Sequence, residues 1–213
     1  MKKGLTEVVF ILDMSGSMGP FADDTIGGFN SMIEDQKKDP GETRVTTVLF
    51  NHYHDVIHNC IPVEEVPKMT RNEYHPFGST ALLDTVGLTI DNVGQRLADT
   101  PEEERPEKVI FVITTDGYEN SSSDYTKAKV KEMIEHQQSK YSWTFMFLGA
   151  NIDAVSEANS LGISSSYSKT YTASSVGTES VYCAVSRGLS NIKACDDVTL
   201  TASIVADCLN EVK

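Results

Sequence analysis

Basic residues are scarce in this chain. Against 31 Asp and Glu there are only 18 Lys and Arg, a formal net charge of −13. No cluster of Lys or Arg interleaves with aromatics, so no nucleic-acid partner is expected. Long apolar runs are missing too. None approaches the ~18 residues that a transmembrane helix needs. The lysines of Met1-Lys2-Lys3 precede an apolar stretch, Val8 to Leu12, that is too short for a secretory signal and is interrupted by Asp13. No membrane association is expected, and the expected location is cytoplasmic. The four cysteines (Cys60, Cys183, Cys195, Cys208) contain no C-x-x-C pair, which points to free thiols in a reducing compartment. No G-x-x-x-x-G-K-[ST] phosphate loop occurs, and no Ser/His or Cys/His pair has a recognisable catalytic spacing. Internal repeats are absent as well.

What is present is a chain of 213 residues, 39% hydrophobic, long enough to bury one sizeable α/β core. Its most informative stretch is the apolar run Val8-Val9-Phe10-Ile11-Leu12, followed at once by Asp13-Met14-Ser15-Gly16-Ser17. Such a run reads as a strand buried on both faces. Strands of that kind deliver their C-terminal ends into the crevice where open α/β sheets bind ligands. One carboxylate and two hydroxyls at alternate positions there present three hard oxygen donors. Without His or Cys they suit Mg²⁺, Mn²⁺ or Ca²⁺. Taken alone, the same residues also fit an Asx-turn leading into a helix N-cap with no metal.

Helical and strand patterns alternate along the rest. Ile26, Phe29, Met32 and Ile33 recur at helical spacing through about Lys38, and Pro40-Gly41 ends that helix. Arg44 to Asn51 and Asp55 to Ile61 read as adjacent strands in an antiparallel hairpin. A connection from Pro62 to Gly78 leads to Gly78-Ser79-Thr80-Ala81-Leu82, after which Leu82, Val86, Ile90, Val93 and Leu97 mark a long helix. Val109 to Thr115 is a second buried-strand run, ending in Asp116-Gly117. Ser121 to Asp124 is expected to cap a helix carrying Val130, Met133 and Ile134. Trp143–Leu148 reads as a strand, Ala154–Asn159 as a short helix and Tyr167–Thr172 as an edge strand. Helical spacing returns at Val181–Ile192 and again at Leu200–Val212. One domain over 1–213 is expected, its core at about 6–194, with 195–213 forming a C-terminal helix packed on it.

The D-x-S-x-S pattern after a buried strand resembles the metal-ion-dependent adhesion site of von Willebrand factor type A domains. The resemblance runs from about Thr6 to Ala194, although motif identity is confined to three loops. It implies a Rossmann-like, doubly wound, mostly parallel six-stranded sheet with helices on both faces and one short antiparallel strand near an edge. It implies a stand-alone member of the bacterial or phage type. Members complete the site with a Thr in a second loop and an Asp at the end of the fourth strand, positions matched here by Thr80 and Asp116. The implied metal set is therefore Asp13, Ser15, Ser17, Thr80 and Asp116. Ser15, Ser17 and Thr80 would bind the ion through their hydroxyls, and Asp13 and Asp116 would hold metal-bound waters. The implied cofactor is Mg²⁺, with Mn²⁺ or Ca²⁺ as alternatives. The implied partner is a protein presenting an Asp or Glu carboxylate, with an AAA+ ATPase or an operon-encoded protein as an analogy.

Other candidates carry less. Asp23 and Asp24 sit where integrin-type relatives have a second metal site, but the Gly19-Pro20-Phe21-Ala22 spacing departs from that pattern, and an acidic helix start fits them better. His52, His54 and His58 cluster in the hairpin, where an exposed polar edge fits them better than a transition-metal site. Glu119 and Asn120 flank Asp116 as rim residues, and Phe21 and Tyr118 offer aromatic contacts. Three function classes follow. The first is a divalent-metal-dependent protein-binding module, not an enzyme. The second is a structural component of a phage or stress-operon assembly. The third is a Mg²⁺-dependent hydrolase, against which Asp13-Met14-Ser15 lacks the second carboxylate of D-x-D phosphatases.

Overall fold

The computed structural model of the chain describes residues 1–195 and 197–212. The expectation for 195–213 therefore includes two residues, Asp196 and Lys213, that lie outside the described residues. Six strands form one sheet in the order β3-β2-β1-β4-β5-β6. They are β1 (Lys2–Asp13), β2 (Glu42–Phe50), β3 (His54–Pro62), β4 (Pro106–Thr115), β5 (Thr144–Ala150) and β6 (Ser168–Tyr171). All neighbours pair in parallel except β2 and β3, which form the antiparallel hairpin.

Central position explains the sequence of β1. Its side chains alternate between two cores, with Val8, Phe10 and Leu12 on one face and Val9 and Ile11 on the other. A strand covered on both faces cannot show polar alternation, so it reads as an unbroken apolar run. On the first face lie α1 (Ala22–Gln36), α5 (Ser175–Ala194) and α6 (Thr201–Asn210), contributing Phe29, Met32, Leu189 and Leu209 to the core. The second face is covered by α2 (Leu82–Asp99), α3 (Lys127–Tyr141) and α4 (Ala154–Ser160), through Val86, Ile90, Val130, Ile134 and Ala158. Each such large side chain removed from water contributes about 1.5–3 kcal/mol. Among the described residues, no helix is long and apolar enough to cross a membrane.

Two details differ from the sequence expectation. The serine run 121–123 does not cap α3. Thr126 does, its side chain accepting the Lys129 N–H, while Ser122 Oγ accepts the Asp84 N–H in the first turn of α2. The serines are spent on the neighbouring helix because the loop after β4 folds back across the start of α2. Further, α1 ends at Gln36, before the Pro40-Gly41 turn.

The strand order places the crevice. From β1 the chain moves outward to β2 on one side and returns to β4 on the other. The loops that leave β1 and β4 therefore diverge, and the gap between them at the C-terminal ends of the strands is where sheets of this kind bind ligands.

Candidate metal centre

Three loops meet at that gap. The first continues the β1–β2 ladder one step beyond the strands, Met14 N–H donating to Phe50 O at 2.6 Å. It then turns: Ser15 N–H donates to Asp13 Oδ1 at 2.7 Å, which is the Asx-turn, and a short 3-10 helix (Gly16–Phe21) follows. The second loop enters through Phe77 and Gly78. Phe77 N–H donates to Met14 O and Gly16 N–H donates to Gly78 O, both at 3.0 Å, so the two loops are bound together by backbone. The third loop leaves β4 at Thr115. Its Asn120 side chain accepts the Thr80 N–H at 2.9 Å, and Asn120 N–H donates to Thr80 O at 3.1 Å.

These ties bring the sequence-predicted residues together. Ser15 Oγ and Ser17 Oγ lie 3.1 Å apart, and Ser17 Oγ donates to Asp116 Oδ1 at 2.6 Å. Thr115 Oγ1 donates to the other oxygen of Asp13 at 2.6 Å. Thr80 belongs to the same cradle. A Cβ built on Gly117 would lie 3.6 Å from Thr80 Oγ1 and 4.0 Å from Ser17 Oγ, so those two hydroxyls face one small space that glycine leaves open. Asp13, Ser15 and Thr80 are buried, and Asp116 is half-buried.

Neither carboxylate here has a cationic partner among the described residues: no ion pair involves Asp13 or Asp116. Burial pushes the Asp13 carboxyl up to about 6, against the opposing hydrogen bonds from Thr115 and Ser15. Burial also raises Asp116, opposed by the Ser17 hydroxyl. A divalent cation fits this set. Three hydroxyls and two carboxylates are hard donors, and a cation would supply the positive charge that the buried carboxylates lack. Among the described residues, no three His, Cys, Asp or Glu side chains gather to hold a metal. A cation at the cradle would therefore depend on the serine and threonine hydroxyls.

Several supporting residues gave no role in the sequence. Thr115 is a β-branched strand residue like its neighbours, and only its position opposite Asp13 makes it a donor. Tyr74 is fully buried, and its hydroxyl donates to the Asp13 carbonyl, anchoring the strand end from the long connection. Glu119 and Asn120, expected as rim residues, act instead as ties between loops. The Glu119 carboxylate accepts from the N–H groups of Leu83, Ser121 and Ser122 and from Ser122 Oγ. Burial raises its pKa, but these four bonds outweigh it and leave the group below its ordinary range.

Elsewhere the candidates separate. Asp23 pairs with Arg71 at 2.7 Å, and Asp24 accepts from Ser175 Oγ at 3.0 Å, both in the first turn of α1. His58 is buried, with its imidazole pKa lowered by burial, whereas His52 and His54 are exposed. Phe21 is half-buried, and Tyr118 is exposed, its hydroxyl 3.5 Å from the Asp153 N–H that donates to it.

No protein-family model matches the sequence, and no curated protein sequence matches it. Solved structures do match in fold. The von Willebrand factor domain of the type V pili tip protein Mfa5 from Porphyromonas gingivalis superposes with a TM-score of 0.61 at 11% identity, over 90% of this chain and 97% of that one. A von Willebrand factor type A protein from Catenulispora acidiphila gives 0.54 at 14% identity, over 97% of this chain and 42% of its own. Proximal thread matrix protein 1 from the mussel byssus, in a structure with a zinc-occupied metal-ion-dependent adhesion motif, gives 0.55 at 17% identity over 97% and 46%. The chain thus spans less than half the length of the latter two. With its 3-2-1-4-5-6 strand order, its single antiparallel edge strand and these superpositions, the chain has the fold of von Willebrand factor type A domains.

Proposed function

We propose that this chain is a divalent-cation-dependent protein-binding module and not an enzyme. Ser15, Ser17 and Thr80 would hold the ion through their hydroxyls, Asp13 and Asp116 through water, and a partner's Asp or Glu carboxylate would complete its coordination. One observation carries the reading: the hydroxyls of Ser17 and Thr80 face a space that Gly117 leaves open, and Ser15, the buried Asp13 and the half-buried Asp116 adjoin them with no cationic partner among the described residues. A cation bound mainly by neutral hydroxyls keeps much of its charge, which attracts an incoming carboxylate. Mg²⁺ is the proposed ion, since hard oxygen donors favour it and it is abundant in cells. The zinc-occupied motif of the mussel protein, which shares this fold, supports a divalent ion as the cofactor. A cytoplasmic location is proposed on the four cysteines, all free in the structure.

Isothermal titration with MgCl₂ and MnCl₂ tests the ion. Wild type is expected to bind and Asp13→Ala to lose binding while keeping its far-UV circular dichroism. Equal affinity in the two proteins would remove the metal assignment.

A further inference from the structure

Beside the cradle lies a cluster of exposed rings that the metal reading leaves without a role. Phe77 stacks on His75 (centroids 5.6 Å apart, planes 5° apart) and meets His52 edge-on at 5.5 Å. His52 in turn lies 4.2 Å from Tyr53. All four face solvent, Tyr53 being 69% and Phe77 43% exposed. They come from the β2–β3 turn and from the end of the 62–78 connection. Both backbone bonds that fix the second loop to the metal loop involve this shelf: Phe77 N–H to Met14 O and Gly16 N–H to Gly78 O. His52, itself exposed, lies against the second loop. A Cβ on Gly78 would stand 2.2 Å from His52 Nδ1, so the imidazole rests directly on the glycine backbone. The rings therefore sit side by side on loops whose backbone is hydrogen-bonded to the loop that carries Ser15 and Ser17.

Nothing in the fold needs these rings in water. Exposed aromatics are uncommon away from interfaces, where they supply large contact area at little entropic cost. Side-chain chemistry also bears on the occupant. The shelf carries two imidazoles and no carboxylate of its own, on a chain whose formal net charge is −13. An acidic segment repelled by the rest of the surface meets N–H donors and ring faces here.

We infer that the His52–Tyr53–His75–Phe77 shelf is a specificity surface for an extended acidic peptide segment of a partner protein, whose aromatic side chain lies within two residues of the metal-binding carboxylate. This rests on the metal reading above. The carboxylate supplies the anchor, and the shelf decides which carboxylate-bearing segment is retained. Two residues of extended chain reach roughly 7 Å, which suits a shelf whose backbone is hydrogen-bonded to the metal loop.

A synthetic peptide array tests it on the full chain. Every peptide is acetylated and amidated, carries a single central Asp, and varies the two positions on either side among Phe, Trp, Leu, Ala, Ser and Lys. Binding is read in MgCl₂ and again in EDTA, with MgCl₂ titration of each protein measured separately. Peptides with Phe or Trp are expected to bind about threefold to tenfold more tightly than Ala peptides, and EDTA to abolish both. Phe77→Ala should erase the aromatic preference without altering Mg²⁺ affinity, and His75→Ala should reduce it. Magnesium binding without aromatic preference overturns the shelf and leaves the metal reading standing. An aromatic preference that survives in both variants overturns the shelf in the same way. Absence of Mg²⁺ binding in wild type, or peptide binding indifferent to EDTA, overturns the metal reading and the shelf with it.

Discussion

Thr115→Val replaces one methyl-sized group by another at the end of β4 and removes a single hydroxyl. That hydroxyl donates to Asp13 Oδ2 at 2.6 Å, and Asp13 is fully buried. It also bridges the loop, accepting from Gly117 N–H at 3.2 Å and lying 3.0 Å from Gly117 O. A hydrogen bond to a buried charged group contributes about 1.5–3 kcal/mol. The Asp13 carboxyl, already pushed up from 3.8 to about 6 by burial, loses the strongest interaction that favours its ionised form. Its titration is expected to move up by a further one to two pH units, roughly the same energy expressed as a pKa.

The sign decides what is measured. In the protein without a cation, Asp13 binds its proton more tightly than the unfolded chain does. Its contribution to stability is fully present below 3.8 and is lost as pH rises through about 6, on the order of 3 kcal/mol. Asp116, also raised by burial, adds in the same direction. A divalent cation reverses this by favouring the ionised carboxylates, so metal binding must displace protons below about pH 6. Calorimetric titration with MgCl₂ at pH 5.5, 6.5, 7.5 and 8.5 in buffers of different ionisation enthalpy reads both affinity and proton release. Wild type is expected to lose affinity below about pH 6. Thr115→Val should shift that loss upward and bind about tenfold more weakly at pH 7. Identical affinities and pH profiles in the two proteins would refute the reasoning, because Asp13 would then be neither titrating nor supporting the ion.

Other outcomes follow from the same geometry. Gly117→Ala is tolerated by the fold, its new methyl at ordinary contact distance, but fills the space between Thr80 and Ser17; melting should barely move while Mg²⁺ affinity falls at least about tenfold. Gly78→Ala meets His52 Nδ1 at 2.2 Å at a φ of +76°, so denaturant unfolding should show about 2 kcal/mol lost or more. Adding His52→Ala should restore the steric part and leave the backbone strain of about 1 kcal/mol. Glu119→Ala unties the third loop from α2 and should cost about 1 kcal/mol, discounted for partial exposure; because the wild-type carboxyl titrates low, the difference should be full above pH 4.5 and fade as pH falls below it. Deleting 195–213 removes Val205, Leu209 and Val212 from the α1–α5 core face and should lower the melting point by many degrees.

The sheet was legible because its two central strands are buried on both faces. Val8–Leu12 and Val109–Thr115 have no surface side to interrupt them, so their apolar runs mark both position and parallel pairing, and each ends on the carboxylate that faces the crevice. Asp13, Ser15 and Ser17 stood out for the same reason, because they follow a buried strand at its crevice end, whereas Thr80 and Asp116 were expected from the family resemblance. The structure brings the five side chains to one cradle, and their role as metal donors is proposed. What holds them was not legible. Thr115 is indistinguishable from any β-branched strand residue until β1 lies beside it. Ser121–Ser123 carry a local helix-start signal that tertiary contact overrides, turning Ser122 to the first turn of α2 and leaving Thr126 to cap α3. His52 and Gly78 are 26 positions apart, and no local pattern announces that an imidazole will rest on a glycine backbone.

These unannounced contacts share a direction: each links one of the three site loops to another or to the end of β1. Tyr74 holds the Asp13 carbonyl, Thr115 its carboxylate, Asn120 the backbone of Thr80 and Glu119 the start of α2. The donors themselves are small polar side chains that any turn would accept. Their ordering into one cradle therefore comes from the buried ties behind them. Asp13 and Asp116 accept hydrogen bonds there from Ser15, Thr115 and Ser17 but have no cationic partner among the described residues. Burial raises the Asp13 carboxyl only to about 6, so at neutral pH the proposed cation would meet a carboxylate for which the fold supplies no cationic partner.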